Sequence, residues 1–250
     1  MTFTMWSFGH YLFMISPIIL TVILVLIMKN KTYEQKRKVG IALSILAIIV
    51  LILRNIEIFI VRDYAFDFEL VPLQICHFAN FVLLIAFMKD SKPLFAFALL
   101  LNLPAAMMSI VFANSLTHYA TLVSFRAFAY LFGHILIVST TLFAYYFGFV
   151  KLDKVTLKKT FTIVGGLYLS SIVINNIFRI FLSQESNYFY TFKPEEGTPL
   201  EMFFNLGKNV YIGDFMFNPI YLILTSILGF IVMMIVYFIS KPYLKKKELQ

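Results

Sequence analysis

Seven apolar stretches, each close to the length needed to cross a bilayer, recur along the chain of 250 residues. About 20 consecutive apolar residues span the hydrocarbon core as a helix. We therefore predict an all-α, polytopic integral membrane protein in which residues 1–250 form a single seven-helix transmembrane domain. The predicted spans are Tyr11–Met28, Gly40–Ile60, Val71–Met88, Pro93–Phe112, Ala127–Val150, Phe161–Leu182 and Pro219–Ser240.

Composition excludes an ordinary soluble domain. Hydrophobic residues make up 60% of the chain and charged residues 14%, against about 45–50% and about 25% in soluble globular proteins. The net charge of +8 does not indicate nucleic-acid binding, because the basic residues lie in short loops between apolar stretches. We expect membrane lipids, including a phospholipid substrate, as the partners and no binding to nucleic acid. The sequence does not indicate a protein partner.

The basic residues alternate between the two sides of the predicted bundle. Four basic loop residues follow the even-numbered spans: Arg62, Arg126, Lys193 and Lys208. Fifteen follow the odd-numbered spans: Lys29, Lys31, Lys36, Arg37, Lys38, Lys89, Lys92, Lys151, Lys154, Lys158, Lys159, Lys241, Lys245, Lys246 and Lys247. Lysine and arginine accumulate in cytoplasmic loops. We therefore predict an external N-terminus, a cytoplasmic C-terminus and a multi-pass protein of the cell membrane.

Polar residues within the spans cluster towards the predicted outer face. Ionisable residues at membrane depth are costly and commonly mark a pathway or a site. A channel would need polar residues along its whole length, whereas the inner half is almost purely apolar. We therefore predict one outward-facing cavity. The outer-half residues are Arg54, Asn55 and Glu57 in the second span, Gln74, Cys76, His77 and Asn80 in the third, His134 in the fifth, and Asn175, Asn176 and Arg179 in the sixth.

Two arginines in this set are candidates for binding an anionic head group. Arg54 lies three residues before Glu57, so these two side chains could instead neutralise one another. Arg179 follows Asn175 and Asn176 by about one turn, and its guanidinium could bind a phosphate in a bidentate manner. The competing interpretation of Arg179 is that it extends to the membrane interface.

Cys76 is the single cysteine of the chain and the candidate nucleophile. The alternative role is a small apolar core residue. Pro72 is a favoured first-turn residue, so we predict that the helix starts near it and that Cys76 lies in the second turn. The positive end of the helix dipole there favours a thiolate. Asn80, four residues on, could donate to an oxyanion, and His134 could act as the base. His77 points about 100° away from Cys76, which gives it a supporting role beside the substrate.

A zinc site made of Cys76, His134 and a loop histidine is formally conceivable. No pair of these residues has a recognisable ligand spacing, so we predict no metal and no cofactor. The long external loop, residues 183–218, is acidic and rich in Tyr and Phe. Its aromatic content favours an interfacial flap over a lid that binds substrate.

Three segments carry a resemblance to a known family. The stretch from Val71 to Cys76 resembles the Pro-Leu-(His or Gln)-x-Cys motif that opens the third helix of YwaF-like bacterial integral membrane proteins. The pair Asn187-Tyr188 with Lys193-Pro194 and the pair Gly133-His134 are similar as well. This family is related to eukaryotic transmembrane acyltransferases thought to remodel ether phospholipids through a cysteine. The resemblance implies a bacterial plasma-membrane protein with Cys76 as the acyl acceptor and His134 as its partner.

The hypothesis is therefore a membrane lipid acyltransferase or lipid hydrolase. Cys76 would attack an ester carbonyl, His134 would transfer the proton, and Asn80 would stabilise the oxyanion. The substrate-binding residues would be Arg54, Glu57, His77, Asn175, Asn176 and Arg179. The alternative is a non-catalytic transporter or ligand-binding subunit that uses the same cavity without covalent chemistry.

Overall fold

Seven helices long and apolar enough to cross a membrane confirm the predicted all-α polytopic architecture. The computed structural model describes residues 3–118, 122–195 and 198–248. The spanning helices are Phe8–Met28, Tyr33–Val61, Ile75–Lys89, the broken helix Lys92–Val111, Phe125–Tyr146, Lys154–Leu182 and Pro219–Glu248. They are called the first to seventh spans below.

The second and sixth spans begin about seven residues earlier than hydropathy predicted, because capping residues extend the helices beyond the apolar stretch. Thr32 and Gln35 form a reciprocal capping box at the start of the second span. The Asp153 carboxylate accepts a hydrogen bond from the Thr156 backbone N–H at the start of the sixth. Such caps satisfy N–H groups that have no intrahelical acceptor, so the lysine-rich segments that follow remain helical.

The third span begins later than predicted. Its helix starts at Ile75, and Pro72 lies in the turn before it. The prediction that Pro72 belongs to the first helical turn is therefore wrong, and Cys76 lies in the first turn itself. The fourth span is interrupted by a π-helical segment, Ala98–Asn102, which leads into the final helix Leu103–Val111.

Contacts at both ends of the bundle show that neighbouring spans run antiparallel. At the lysine-rich end, Arg37 at the start of the second span donates to the Phe87 and Met88 carbonyl oxygens at the end of the third. At the opposite end, which carries the N-terminus, His10 bonds to the Ile110 carbonyl oxygen of the fourth span at 2.9 Å. The polar residues singled out in the sequence lie towards this N-terminal end.

The bundle core is densely aromatic near the lysine-rich end. Phe87 packs edge-on against Phe95, with ring centroids 4.8 Å apart, and also contacts Phe143 and Phe149. A Cβ at Gly40 would lie 2.3 Å from the Phe87 ring, so only glycine allows this close approach of the second span. The first span instead turns a row of exposed aliphatic side chains outward, which fits a lipid-facing surface: Ile15, Ile18, Ile19, Val22, Ile23 and Leu26.

The segment between the sixth and seventh spans folds against the N-terminal end of the bundle. It contains a 3₁₀ turn, Tyr188–Tyr190, and a short helix, Leu200–Leu206. An antiparallel pair of strands follows, Val210–Ile212 and Phe215–Phe217. The aromatic part of this segment is buried rather than laid flat on the surface: Tyr188 is 0% exposed and Phe189 is 9% exposed.

Candidate functional site

A cavity of about 80 Å³ lies between the second, third and fifth spans, towards the N-terminal end. Apolar side chains from the second and fifth spans form its walls. The polar residues that line it are Arg54, Cys76, His77, Asn80, Arg126 and His134. Five of these were singled out from the sequence as site candidates, and the fold brings them to one place.

Cys76 lines the cavity from the first turn of the third span. Its Sγ atom lies 4.0 Å from Ser109 Oγ on the fourth span. The Ser109 carbonyl oxygen in turn accepts a hydrogen bond from the Tyr130 hydroxyl at 2.8 Å. The first N–H groups of a helix have no carbonyl one turn earlier to bond to. Those of Cys76 and His77 are in this position, beside the thiol.

His134 is buried in the fifth span, and its Nδ1 lies 2.6 Å from the Tyr130 carbonyl oxygen one turn earlier. A carbonyl oxygen only accepts, so Nδ1 carries the proton in this contact. The opposite nitrogen, Nε2, then holds the lone pair in the neutral ring. The backbone therefore fixes the tautomer in which Nε2 can accept a proton.

Asn80 and His77 present polar atoms that the described residues leave without partners. Asn80 is 3% exposed, and its Oδ1 is buried with no hydrogen bond. His77 Nδ1 is likewise buried and unpaired.

An ion-pair cluster lies beside the cavity, and it includes a carboxylate that the sequence analysis missed. Glu69 Oε2 lies 2.8 Å from the Arg54 guanidinium and 3.3 Å from that of Arg126. Arg54 also donates to the Glu69 carbonyl oxygen and to Asn55. Glu57, predicted to bind substrate, accepts a hydrogen bond from the Arg126 backbone N–H at 3.0 Å. Arg54 and Arg126 are thus held together by one shared carboxylate.

The three sixth-span candidates lie outside the set of residues that line the cavity. Arg179 donates to the Asp214 carbonyl oxygen in the turn between the two strands. Asn176 exchanges two hydrogen bonds with the backbone of Met216. Asn175 contacts the loop that precedes the strands. The described structure thus brings Arg126, not Arg179, together with Arg54.

Asn175 clamps the buried aromatic loop, Ser186–Phe192. Its Oδ1 accepts from the Ser186 hydroxyl and the Tyr188 N–H, and its Nδ2 donates to the Tyr188 carbonyl oxygen and the Thr191 hydroxyl. Phe189, in the same loop, has a left-handed φ of 54° and packs on Phe78, with ring centroids 6.5 Å apart. The loop is therefore inserted into the N-terminal end of the bundle.

Tyr190, the next residue of this loop, also has a left-handed φ, 53°. Burial, followed by the proximity of Cys76, raises the pKa of the Tyr190 hydroxyl. The tyrosine therefore remains neutral at physiological pH, and the loop approaches the cysteine from the N-terminal end. Two consecutive non-glycine residues in this region are uncommon and store backbone strain.

A family profile described as the TMEM164 family matches residues 5–237, which is nearly the whole chain. The chain belongs to the TMEM164 family. No curated protein and no solved structure matches it. Membership of a transmembrane protein family agrees with the seven spans; the YwaF-like and bacterial assignments stay predictions. Within the described ranges, no three His, Cys, Asp or Glu side chains of this TMEM164 family member meet as candidate metal ligands.

Two residues of the site that the sequence analysis missed could have been predicted from helical periodicity. Arg126 and Tyr130 precede His134 by about two turns and one turn on the same helix, so helical periodicity places all three on one face. Glu69 offered no such signal, because it lies in the loop before the third span and meets its arginine partners only in the folded chain.

Proposed function

We propose that this protein is a membrane lipid acyltransferase, or a lipid hydrolase of the same chemistry, with Cys76 as the nucleophile. The observation that carries the proposal is the shared cavity. A thiol, an imidazole with a fixed tautomer and a buried carboxamide line one small space beside two arginines. The resemblance of the Val71–Cys76 stretch to the cysteine motif of YwaF-like proteins, a family related to cysteine-dependent acyltransferases, supports the same assignment.

Proton transfer begins the reaction. His134 Nε2 takes the proton of the Cys76 thiol, and the resulting thiolate attacks the ester carbonyl of a lipid. When the tetrahedral intermediate collapses, the ester C–O bond breaks and a thioester forms on Cys76. The departing alkoxide takes the proton from His134 Nε2. A hydroxyl of an acceptor lipid, or water, then attacks the thioester, with His134 again accepting and returning the proton, and the thiol is regenerated.

The oxyanion of the intermediate needs donors that are already in place. The Asn80 amide lies four residues after Cys76, on the same side of the third span. The N–H groups of the first helical turn, at Cys76 and His77, add donors beside the sulfur. A late helix start, at Ile75, supports this role because it leaves these N–H groups next to the nucleophile.

The lipid head group is assigned to the arginine pair. Guanidinium groups bind phosphate with parallel hydrogen bonds. Arg54 and Arg126 lie beside the cavity, whereas Arg179 bonds to Asp214. A phosphate that approached the pair would compete with Glu69 for the same donors.

The test is acyl transfer by the purified protein in bilayers that contain phospholipids with an isotope-labelled acyl chain. We expect the labelled acyl group on Cys76 as a thioester, detected by intact-protein mass spectrometry and released by hydroxylamine. Cys76→Ala should abolish both the adduct and lipid turnover while the melting temperature stays nearly unchanged, since one sulfur atom is removed beside an existing cavity. His134→Gln should slow turnover by about 10²–10⁴-fold.

Ser139→Ala is the matched control. This buried hydroxyl on the fifth span faces the Pro17 carbonyl oxygen of the first span, away from the cavity, so turnover should not change. Full lipid turnover by Cys76→Ala would refute the proposal. Lipid binding without turnover in the wild type would instead assign the chain to the non-catalytic ligand-binding or transport class.

A further inference from the structure

A second polar feature lies within the bundle, on the fourth span, which packs against the third. Asn102, at the end of the π-helical segment, is 1% exposed. Both its Oδ1 and its Nδ2 are enclosed and have no hydrogen-bond partner among the described residues. An unpaired buried polar atom destabilises the fold, and lipid offers nothing that could bond to it.

The register of the two antiparallel spans places Asn102 and Asn80 at similar depths. Ser109 Oγ lies 4.0 Å from Cys76 Sγ, which sets the two spans in register. Asn102 is seven residues before Ser109, two turns along the same helix face, and Asn80 is four residues after Cys76 on its own face. Both residues therefore lie deeper than this contact, and their depths differ by less than about one helical turn.

The unmet hydrogen-bonding groups of the two amides are complementary. Asn80 leaves one acceptor unpaired, Oδ1, and Asn102 leaves one acceptor and one donor group. A bound cation would satisfy the oxygens but would be repelled by the Asn102 NH₂ group, and a lone carboxamide pair supplies no negative charge to hold it. Water both donates and accepts, and buried waters commonly make about three hydrogen bonds to such groups.

We propose that at least one ordered water molecule is bound between Asn80 and Asn102, between the third and fourth spans. The water accepts a hydrogen bond from Asn102 Nδ2 and donates one to Asn80 Oδ1. The site does not depend on the chemistry proposed for Cys76. Its effect on Asn80 is to hold the amide oxygen away from the cavity, which leaves the NH₂ group directed towards it. A π-helical segment at this point agrees with the frequent placement of such segments at functional sites.

Solid-state NMR of the wild-type protein in bilayers tests the water directly. With ¹⁵N-labelled asparagine, we expect magnetisation transfer from water to the Asn102 side-chain amide protons, assigned by loss of the signal in Asn102→Ser. Ser139→Ala, which removes a buried hydroxyl facing the first span, should leave this transfer unchanged. An assigned Asn102 amide signal without transfer from water would overturn the proposal.

Thermal unfolding gives an independent measurement. If the amides bond through water, Asn102→Leu should lower the melting temperature by about 2–4 °C or more. The effects of Asn102→Leu and Asn80→Leu should then be less than additive, because the same water is lost in each variant. A dry site predicts the opposite sign, since leucine would replace an unpaired amide with a side chain of similar volume. A rise in melting temperature for Asn102→Leu would therefore refute the bound water.

Discussion

Glu69 holds the two arginines beside the cavity, and its contribution is electrostatic. Its carboxylate contacts both Arg54 and Arg126, and all three side chains are mostly shielded from solvent. Removing one member of a buried ion pair leaves uncompensated charge, which costs more than the pair gains when intact. In this cluster the loss would leave two guanidinium groups close together without their shared counter-charge.

We expect Glu69→Gln to lower the free energy of unfolding by about 3 kcal/mol, the lower end for a buried pair because the cluster is partly accessible. Glu185→Gln is the control: its carboxylate pairs with Lys193 at 3.2 Å and both side chains are exposed, and exposed pairs contribute about 0–1 kcal/mol. Chemical denaturation in a mild detergent measures both. Equal losses for the two variants would contradict a structural role specific to Glu69.

The aromatic loop is held in an uncommon backbone conformation by the sixth span, chiefly by Asn175, with Ser171 also bonded to the Thr191 hydroxyl at 3.0 Å. Four hydrogen bonds from the Asn175 amide reach Ser186, Tyr188 and Thr191. The left-handed residues Phe189 and Tyr190 would relax if this clamp were absent. The inserted loop and its clamp therefore form one cooperative unit at the N-terminal end of the bundle.

Asn175→Leu should release this loop while the seven spans persist. We expect faster proteolysis between residues 183 and 195, together with a drop in melting temperature, because several enclosed backbone groups lose their partners at once. Glu185→Ala is the comparison, since its ion pair with Lys193 lies on the exposed side of the same segment. Unchanged protease sensitivity in Asn175→Leu would show that the Asn175 amide does not hold the loop.

The spans could be predicted from the sequence because hydropathy depends only on local composition and does not require knowledge of which segments pack together. Helix starts at Tyr33 and Lys154 escaped prediction because polar caps, not apolar residues, determine them. That Cys76 and His134 line one cavity could be predicted from their similar depths along their helices. The insertion of Tyr188 could not be predicted in this way, because its burial depends on Asn175 and on the Phe68 carbonyl oxygen, which is far away in sequence.

At the scale of the whole molecule, the asymmetry of charge predicts its orientation in the membrane. The lysine-rich end should face the cytoplasm and the cavity end should face outward. Single cysteines placed at Lys36, Lys154 or Asn187 in a Cys76→Ala background report this with a membrane-impermeant maleimide. We expect labelling of intact cells at position 187 alone. Labelling at position 36 in intact cells would reverse the orientation.

The size of the cavity has a consequence for how a lipid would be recognised. A volume of about 80 Å³ is well below the roughly 300–1,000 Å³ of pockets that enclose a small molecule. An ester group fits in such a space, but a fatty acyl tail does not. The tail would remain dissolved in the surrounding bilayer while only its carbonyl reached Cys76. If the proposed acyl transfer takes place, discrimination among tails would then depend on the local lipid composition and its fluidity, and the membrane itself would contribute to the choice of substrate.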